Sequence, residues 1–159
     1  MRSIGANINK PDTQISTGVP EIDAVLSAKV DKAANCDINV TAKIAFKHEL
    51  NVNAYDLSGI IANALDNAIE GILRSTNVER KIYLNMQSSV NFVSVIVENY
   101  ASGLMHDDFQ TTKQDKVNHG FGMKQMSDVA LKYGGDFRPE YDCKNMRFSL
   151  RILLKNREP

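Results

Sequence analysis

The chain has 159 residues, with 19 Lys and Arg against 19 Asp and Glu, and 43% of its residues are hydrophobic. This length predicts one domain that can fold without a disulfide or a metal. The zero net charge argues against a nucleic-acid partner. No apolar run approaches the roughly 20 residues that span a bilayer, so we expect no direct membrane contact. The two cysteines and the lack of a signal-like segment favour the reducing cytoplasm.

The first half of the chain predicts two helices and one strand after a polar start. Residues 1–18 show no period, and we expect a linker or chain edge there, followed by the domain over residues 19–159. Apolar residues at three- and four-residue spacing predict a short helix over residues 20–35 and a stronger one over residues 57–73. Alternation with period two predicts a strand over residues 38–46.

The second half of the chain predicts a sheet and one more helix. Strands over residues 81–87 and 92–98 are joined by a hairpin turn, and residues 99–118 form a long segment without a period. A helix begins at Gly122 and ends at Gly134 and Gly135, and strands follow over residues 136–141 and 145–154. The fold class is therefore α+β, a mixed sheet with one face covered by about three helices.

A polar stripe on the stronger helix is the first candidate site. Asn63, Asp66, Asn67 and Glu70 fall within an arc of roughly 100°, opposite the apolar side. Asn is a mediocre residue for the middle of a helix, so two of them one turn apart indicate a purpose other than helix formation. Oxygen ligands of this kind suit Mg²⁺ that is shared with substrate phosphates. The alternative interpretation is an ordinary solvated face.

The second candidate site is the sequence His119-Gly120-Phe121-Gly122 at the start of the last helix. Glycines let the backbone approach a ligand, and the unpaired N–H groups of a helix start favour a phosphate. The preceding loop supplies Thr111, Thr112 and Lys113, which are suited to oxyanions. Glycines that merely end the loop are the alternative, and no GxxxxGK[ST] motif is present, so the segment is not a P-loop.

Three segments together resemble one known family. They are TGVPEIDAVLSAKVDKA, LSGIIANALDNAIEG and FQTTKQDKVNHGFGMKQMSDVALKYGG. They resemble the catalytic, ATP-binding domain (GHKL, or Bergerat type) of bacterial sensor histidine kinases of the peptide-sensing, or quorum-sensing, subfamily. The resemblance covers residues 17–154. It implies a two-layer α/β sandwich with a mixed, mostly antiparallel sheet, and ATP and Mg²⁺ held between the Asn helix and a lid.

The resemblance also implies roles for single residues. Asn67 would be the principal Mg²⁺ ligand, and Asn63 would support the metal and the phosphates. Asn63 stands where ATP-hydrolysing branches usually carry Glu, and an amide cannot take a proton from water, which favours phosphoryl transfer over hydrolysis. The remaining nucleotide-binding residues implied are Gly120 and Gly122 of the glycine box with His119 and Phe121, and Thr111, Thr112 and Lys113 of the lid.

The adenine-binding motif departs from the family pattern. The usual DxGxG appears here as Glu98-Asn99-Tyr100-Ala101-Ser102. We expect the side-chain carbonyl of Asn99 to accept the adenine amino hydrogen, more weakly than a carboxylate would. Because an amide can flip, the sequence predicts loose discrimination against guanine, and tighter ATP binding after Asn99→Asp.

The resemblance implies a catalytic domain of a two-component histidine kinase, in which the phosphoacceptor His lies on a dimerisation segment outside this chain. His48, His106 and His119 are not expected to be that acceptor. The implied partners are the dimerisation segment and a response regulator, and we expect the domain alone to be a monomer. The parent protein would be anchored in the cell membrane. The alternatives are an ATP-binding sensor or scaffold without efficient transfer, and a serine kinase of the anti-sigma type.

Overall fold

Six strands and three helices make up the part of the chain that a computed structural model describes, which comprises residues 4–8, 16–103 and 119–157. Side chains are described for residues 16–103 and 121–157. In chain order the elements are β1 (Ile4–Ile8), α1 (Pro20–Ala34), β2 (Asn39–Phe46), α2 (Ala54–Arg74), β3 (Lys81–Ser88), β4 (Phe92–Tyr100), α3 (His119–Lys132), β5 (Asp136–Asp142) and β6 (Arg147–Lys155).

The strands form one mixed sheet in the order β1-β2-β3-β4-β6-β5. β2 and β3 are parallel, and every other neighbouring pair is antiparallel. Parallel neighbours need a crossover connection, and α2 supplies it, whereas β3 and β4 are joined by a tight hairpin. The predicted α+β class with a mixed, mostly antiparallel sheet is confirmed.

The edge strand β1 was not predicted. The sequence predicted no regular element within residues 1–18, and this was wrong for Ile4–Ile8, which pairs antiparallel with β2 from Ile4 opposite Ile44 to Ile8 opposite Val40. In the segment IGANI, Ile4, Ala6 and Ile8 alternate with Gly5 and Asn7, but this alternation is short and includes glycine and asparagine, which are depleted in strands. Its strand conformation follows from the unpaired backbone groups that β2 offers at its free edge. The division into a linker over residues 1–18 and a domain over residues 19–159 stays a prediction.

The core lies between the three helices and one face of the sheet. Alternate residues of the central strands are buried there, while the other face carries exposed side chains such as Lys43 and Arg151. This arrangement confirms the two-layer sandwich. The buried residues of α2, β3, β4 and β6 that build the core include Leu57, Ile61, Leu65, Ile69, Ile82, Leu84, Met86, Val93, Val95, Val97, Leu150, Ile152 and Leu154.

Helix α2 begins one turn earlier than the sequence predicted, because Asn53 caps it. The Asn53 Oδ1 atom accepts the backbone N–H of Tyr55 at 2.9 Å and that of Asp56 at 3.4 Å. These bonds satisfy two of the N–H groups that a helix start leaves without partners. Asp56 in the first turn adds a favourable interaction with the helix dipole.

The end of α3 is fastened to the start of α2. Tyr133 follows α3 directly and is fully buried. Its hydroxyl donates to Asp56 Oδ2 at 2.7 Å and accepts the backbone N–H of Asn53 at 3.1 Å. Gly134 then turns the chain with φ +61°, which confirms the predicted glycine stop. The two helices are therefore antiparallel neighbours with one fixed end.

Gly135 lies against the backbone of β6, and we expect that no other residue fits there. A Cβ added at this position would lie 1.8 Å from the carbonyl oxygen of Leu153. We predict that Gly135→Ala lowers the free energy of unfolding by about 2–3 kcal/mol or more, because the backbone of β6 would have to shift. Urea denaturation with an unchanged m-value measures this effect.

Gly59 is the matched control, because a Cβ added there meets no atom within 4 Å. Gly59 lies inside α2, so Gly59→Ala should raise the free energy of unfolding by up to about 1 kcal/mol. Equal effects of the two substitutions would contradict the close approach at Gly135.

Candidate functional site

The predicted Asn stripe and the predicted glycine motif lie together in the structure. Asn63 on α2 donates through Nδ2 to Oε1 of Gln125 on α3, at 3.2 Å. A Cβ added to Gly122, one turn before Gln125, would lie 3.5 Å from Asn63 Oδ1. The first turns of α3 therefore contact the α2 face on which the sequence placed its first candidate site.

Asn67, one turn after Asn63, carries a polar atom without a protein partner. Its Nδ2 atom is buried and forms no hydrogen bond with the described residues. An unpaired buried donor costs about 1–3 kcal/mol, so such atoms in a native structure call for an explanation. A ligand that brings an acceptor to this position would remove the cost.

Asn99, near the end of β4, carries a second buried atom of this kind. The residue is 2% exposed, its Nδ2 donates to the carbonyl oxygen of Tyr100 at 3.1 Å, and its Oδ1 has no partner among the described residues. A Cβ added to Gly71 of α2 would lie 3.2 Å from Asn99 Nδ2. Gly71 is four residues after Asn67, on the same side of α2. Asn63 and Asn67 thus lie on one side of α2, and Asn99 of β4 lies next to the same side one turn further along.

A hydrogen-bonded network fastens the chain after β4 to the end of α2. The Ser102 hydroxyl accepts the backbone N–H of Thr76 at 3.0 Å and donates to the Thr76 carbonyl at 3.1 Å. The Ser75 hydroxyl accepts the backbone N–H of Ser102 at 2.8 Å and donates to the Gly71 carbonyl at 2.7 Å. These bonds hold the Asn99 end of β4 against the Gly71 turn of α2.

Asp66 does not belong to the open polar stripe. It accepts hydrogen bonds from Lys29 and Lys32 of α1, each at 2.7 Å. Burial raises the pKa of the Asp66 carboxyl, but the bonds from the two lysines outweigh burial, and the pKa lies below its usual value. Lys29 is therefore an ion-pair partner of Asp66. Asp66 joins α1 to α2 as a carboxylate, which leaves neutral amides at Asn63 and Asn67.

Asp56 is hydrogen-bonded to Lys132 and Tyr133 where the end of α3 meets the start of α2. Burial raises the pKa of Asp56, but the hydrogen bonds from Lys132 and Tyr133 lower it below its usual value. The pKa of the Tyr133 hydroxyl is raised, first by burial and then by the bond to Asp56. At neutral pH Asp56 is therefore a carboxylate and Tyr133 an uncharged phenol. Both side chains hold the two helices together rather than transfer protons.

Several predicted site residues lie outside the described part of the chain. These are Thr111, Thr112 and Lys113 of the predicted lid, while for His119 and Gly120 only the helical backbone is described. Phe121 is described, is 70% exposed, and lines a shallow surface groove with Lys124 and Lys132. Within the described residues, no group of three His, Cys, Asp or Glu side chains could hold a metal ion.

The sequence did not point to Gln125, Gly71 or Ser75, and it named Ser102 only as the last residue of the Asn99 motif. Gln125 is a residue type that is common at exposed helix positions. The one feature of the sequence that connects it with the site is that it lies three residues after Gly122. Gly71 carried a weak signal as a glycine inside a strong helix, which indicates close packing. The serines lie at the ends of predicted elements, where serine is common for local reasons.

Comparisons with known proteins agree with this geometry. A family model described as GHKL domain matches residues 52–155. A search of curated proteins found no match. Among solved structures, three nucleotide-free structures of the catalytic domain of the histidine kinase ThkA have a similar fold. The first has TM-score 0.62 and 15% identity over 100% of both chains. The others have TM-score 0.65 with 14% identity over 99% of this chain and 97% of that one, and TM-score 0.61 with 16% identity over 99% of both.

The matched range of the family model includes α2, β3, β4 and α3, and with them Asn63, Asn67 and Asn99. Among the described helices, none is long and apolar enough to cross a membrane. Since the family match covers more than half of the chain, the chain belongs to the GHKL domain family of ATP-binding domains, with the fold of a histidine kinase catalytic domain.

Proposed function

We propose that this chain is the Mg-ATP-binding catalytic domain of a bacterial two-component sensor histidine kinase of the peptide- or quorum-sensing subfamily. The observation that carries the proposal is that Asn67 Nδ2, on α2, and Asn99 Oδ1, next to the same stretch of α2, are both buried and have no partner among the described residues. The first atom needs an acceptor and the second a donor. ATP offers phosphate oxygens and an adenine amino group, and it therefore satisfies both.

The donor set suits magnesium that arrives with a nucleotide. The oxygens of Asn63 and Asn67 are neutral amide ligands, and Asp66 is already held by two lysines. Mg²⁺ prefers oxygen ligands and usually binds few protein groups while it keeps waters and substrate phosphates. When bound, the ion neutralises phosphate charge. We therefore expect metal affinity to depend on the nucleotide, with Asn67 as the principal ligand and Asn63 in support.

The remaining residues bind and enclose the nucleotide. Asn99 orients the base, and Gly120 and Gly122 let the backbone N–H groups at the start of α3 face the phosphates. Thr111, Thr112, Lys113, His119 and Phe121 are proposed to close over the phosphates and exclude water. Phosphoryl transfer depends mainly on positioning and charge, so no protein nucleophile is needed.

The acceptor of the phosphoryl group is proposed to be a His on the dimerisation segment of the parent kinase. The amide of Asn63 cannot remove a proton from water, so the site lacks the base that hydrolysis would require at this position. The phosphoryl group would then pass to a response regulator. In this proposal the domain is cytoplasmic and monomeric, and the parent protein is anchored in the cell membrane.

Asn67→Ala tests the metal ligand. Mg-ATP at 100 times its Kd should stabilise the wild-type domain by about 2.7 kcal/mol, which thermal unfolding detects as a rise in Tm. In the variant the Mg²⁺-dependent part of that rise should disappear. The Tm without ligand should stay the same or increase, because the substitution removes a buried, unpaired donor.

Asn91→Ala is the control, since Asn91 is exposed in the hairpin turn at the opposite end of β4 from Asn99. It should keep the full Mg-ATP effect. A fall in the ligand-free Tm of Asn67→Ala, of the size expected for a core residue, would show that Asn67 is structural.

The contacts of Asn99 change the expectation for base selectivity. The sequence suggested that the amide can flip to accommodate guanine. A flip would place Oδ1 against the Tyr100 carbonyl oxygen, so that two acceptors face each other in a buried place, and the present bond at 3.1 Å would be lost. Asn99 therefore presents an acceptor to the base, which matches the amino group of adenine and not the carbonyl of guanine.

We accordingly predict that ATP binds at least about tenfold more tightly than GTP, from a hydrogen-bond difference of about 1.4 kcal/mol or more. Asn99→Asp should lower stability without tightening ATP at neutral pH, because a carboxylate oxygen would face the Tyr100 carbonyl. Asn99→Leu, of similar size, should fold well and lose the preference for ATP. Calorimetric titration with both nucleotides measures these differences, and a tighter ATP complex of Asn99→Asp would refute the fixed orientation.

The transfer reaction tests the function as a whole. The domain is mixed with γ-³²P-labelled ATP, Mg²⁺ and a separate polypeptide that carries the proposed phosphoacceptor His of the parent kinase. We expect label on that polypeptide that is lost in acid and retained in base, because phosphohistidine is a phosphoramidate. Acid-stable label would indicate a serine kinase instead. Nucleotide binding without any label would indicate the sensor or scaffold alternative.

A further inference from the structure

Helix α3 contacts both ends of the Asn63 amide. Gln125 Oε1 accepts from Asn63 Nδ2 at 3.2 Å, and Gly122 faces Oδ1 at a virtual Cβ distance of 3.5 Å. Gly122 and Gln125 are three residues apart and therefore share one face of α3. The nearest atom to this virtual Cβ of Gly122 is Asn63 Oδ1, so the oxygen lies next to the start of α3. None of the described residues donates a hydrogen bond to it.

The orientation of this amide decides what Asn63 offers to a ligand. With Nδ2 held by Gln125, the oxygen faces the start of α3. With the amide reversed, an NH₂ group would face the same place, and an NH₂ group cannot bind a cation. Glycine at position 122 contributes by leaving the oxygen accessible, since a methyl group there would be in contact with it.

We propose that Gln125 is a positioning residue that holds the Asn63 amide so that its oxygen is available to the Mg²⁺ that would accompany ATP. The inference rests on the proposed function, because it assumes that Asn63 supports the metal and the phosphates. Gln125 itself touches neither; it acts through Asn63. Because Gln125 also belongs to α3, the bond joins the Asn63 side of α2 to α3.

The position allows a clean test, since Gln125 is exposed and lies on a helix. Gln, Met and Glu have similar helix propensities, so substitutions among them should leave the ligand-free Tm nearly unchanged. Met removes the acceptor. Glu keeps an acceptor and cannot donate, so it favours the Asn63 orientation that we propose.

The experiment measures ATP affinity by calorimetry, with Mg²⁺ and with EDTA, at about 0.15 M salt to screen the added charge of Glu. Gln125→Met should weaken the complex with Mg²⁺ about twofold to tenfold, the value of one hydrogen bond, and should leave the complex in EDTA unchanged. Gln125→Glu should retain the wild-type affinity or exceed it. Gln87→Met, the same change at an exposed position of β3, should have no effect.

A double-mutant cycle separates positioning from a general structural role. If Gln125 acts through Asn63, then Gln125→Met should cause no further loss in an Asn63→Ala background. Additive losses, or an equal loss in EDTA, would overturn the inference. If Asn63→Ala weakens Mg-ATP and Gln125→Met does not, the inference fails and the proposed function stands. If the wild-type domain shows no Mg²⁺-dependent ATP binding, both fail.

Discussion

The two hydrogen bonds of the buried Tyr133 hydroxyl determine how α3 lies on α2, and the candidate site depends on that relation. At the start of α2, the hydroxyl donates to Asp56 Oδ2 and accepts the backbone N–H of Asn53. At about 1.5 Å per residue, the seven residues from Asp56 to Asn63 span about 10 Å, and the eight from Tyr133 back to Gln125 span about 12 Å. Antiparallel helices joined at Tyr133 therefore bring Asn63 and Gln125 side by side, about two turns away.

The site stores unfavourable free energy that the rest of the fold offsets. Within the described part of the chain, Asn67 Nδ2 and Asn99 Oδ1 are buried without partners, and an apolar pair of the same shape would make the ligand-free domain more stable. The sandwich can carry that cost because α2 buries nine residues, including Leu57, Ile61 and Leu65. When a ligand binds, these pre-oriented polar atoms form hydrogen bonds with it, and the removal of their desolvation cost adds to the free energy of binding.

The sequence was sufficient for features that depend on local period, and insufficient for those that depend on long-range pairing. Alternating residues in β3 and β4 and the apolar stripe of α2 have periods of 2 and 3.6, which can be read without the fold. β1 has only five residues, including glycine and asparagine, so its alternation is a weak signal, and its structure depends on the edge of β2. The bonds of Asp66 to Lys29 and Lys32 join residues 37 and 34 positions apart, which no spacing rule connects. The bond between Asn63 and Gln125 spans 62 positions and is equally inaccessible to such rules.

The charge of the site has a chemical consequence for the proposed kinase. Because the Asp66 carboxylate is paired with Lys29 and Lys32 of α1, the groups that α2 offers at Asn63 and Asn67 are amides, which attract a cation only weakly. A site of this kind should not load Mg²⁺ in advance, and should take up the metal with the phosphates that carry the negative charge. The same amides cannot serve as a base toward water. The proposed kinase, which would hold ATP until its histidine acceptor arrives, would need both properties, and neutral amides would supply both.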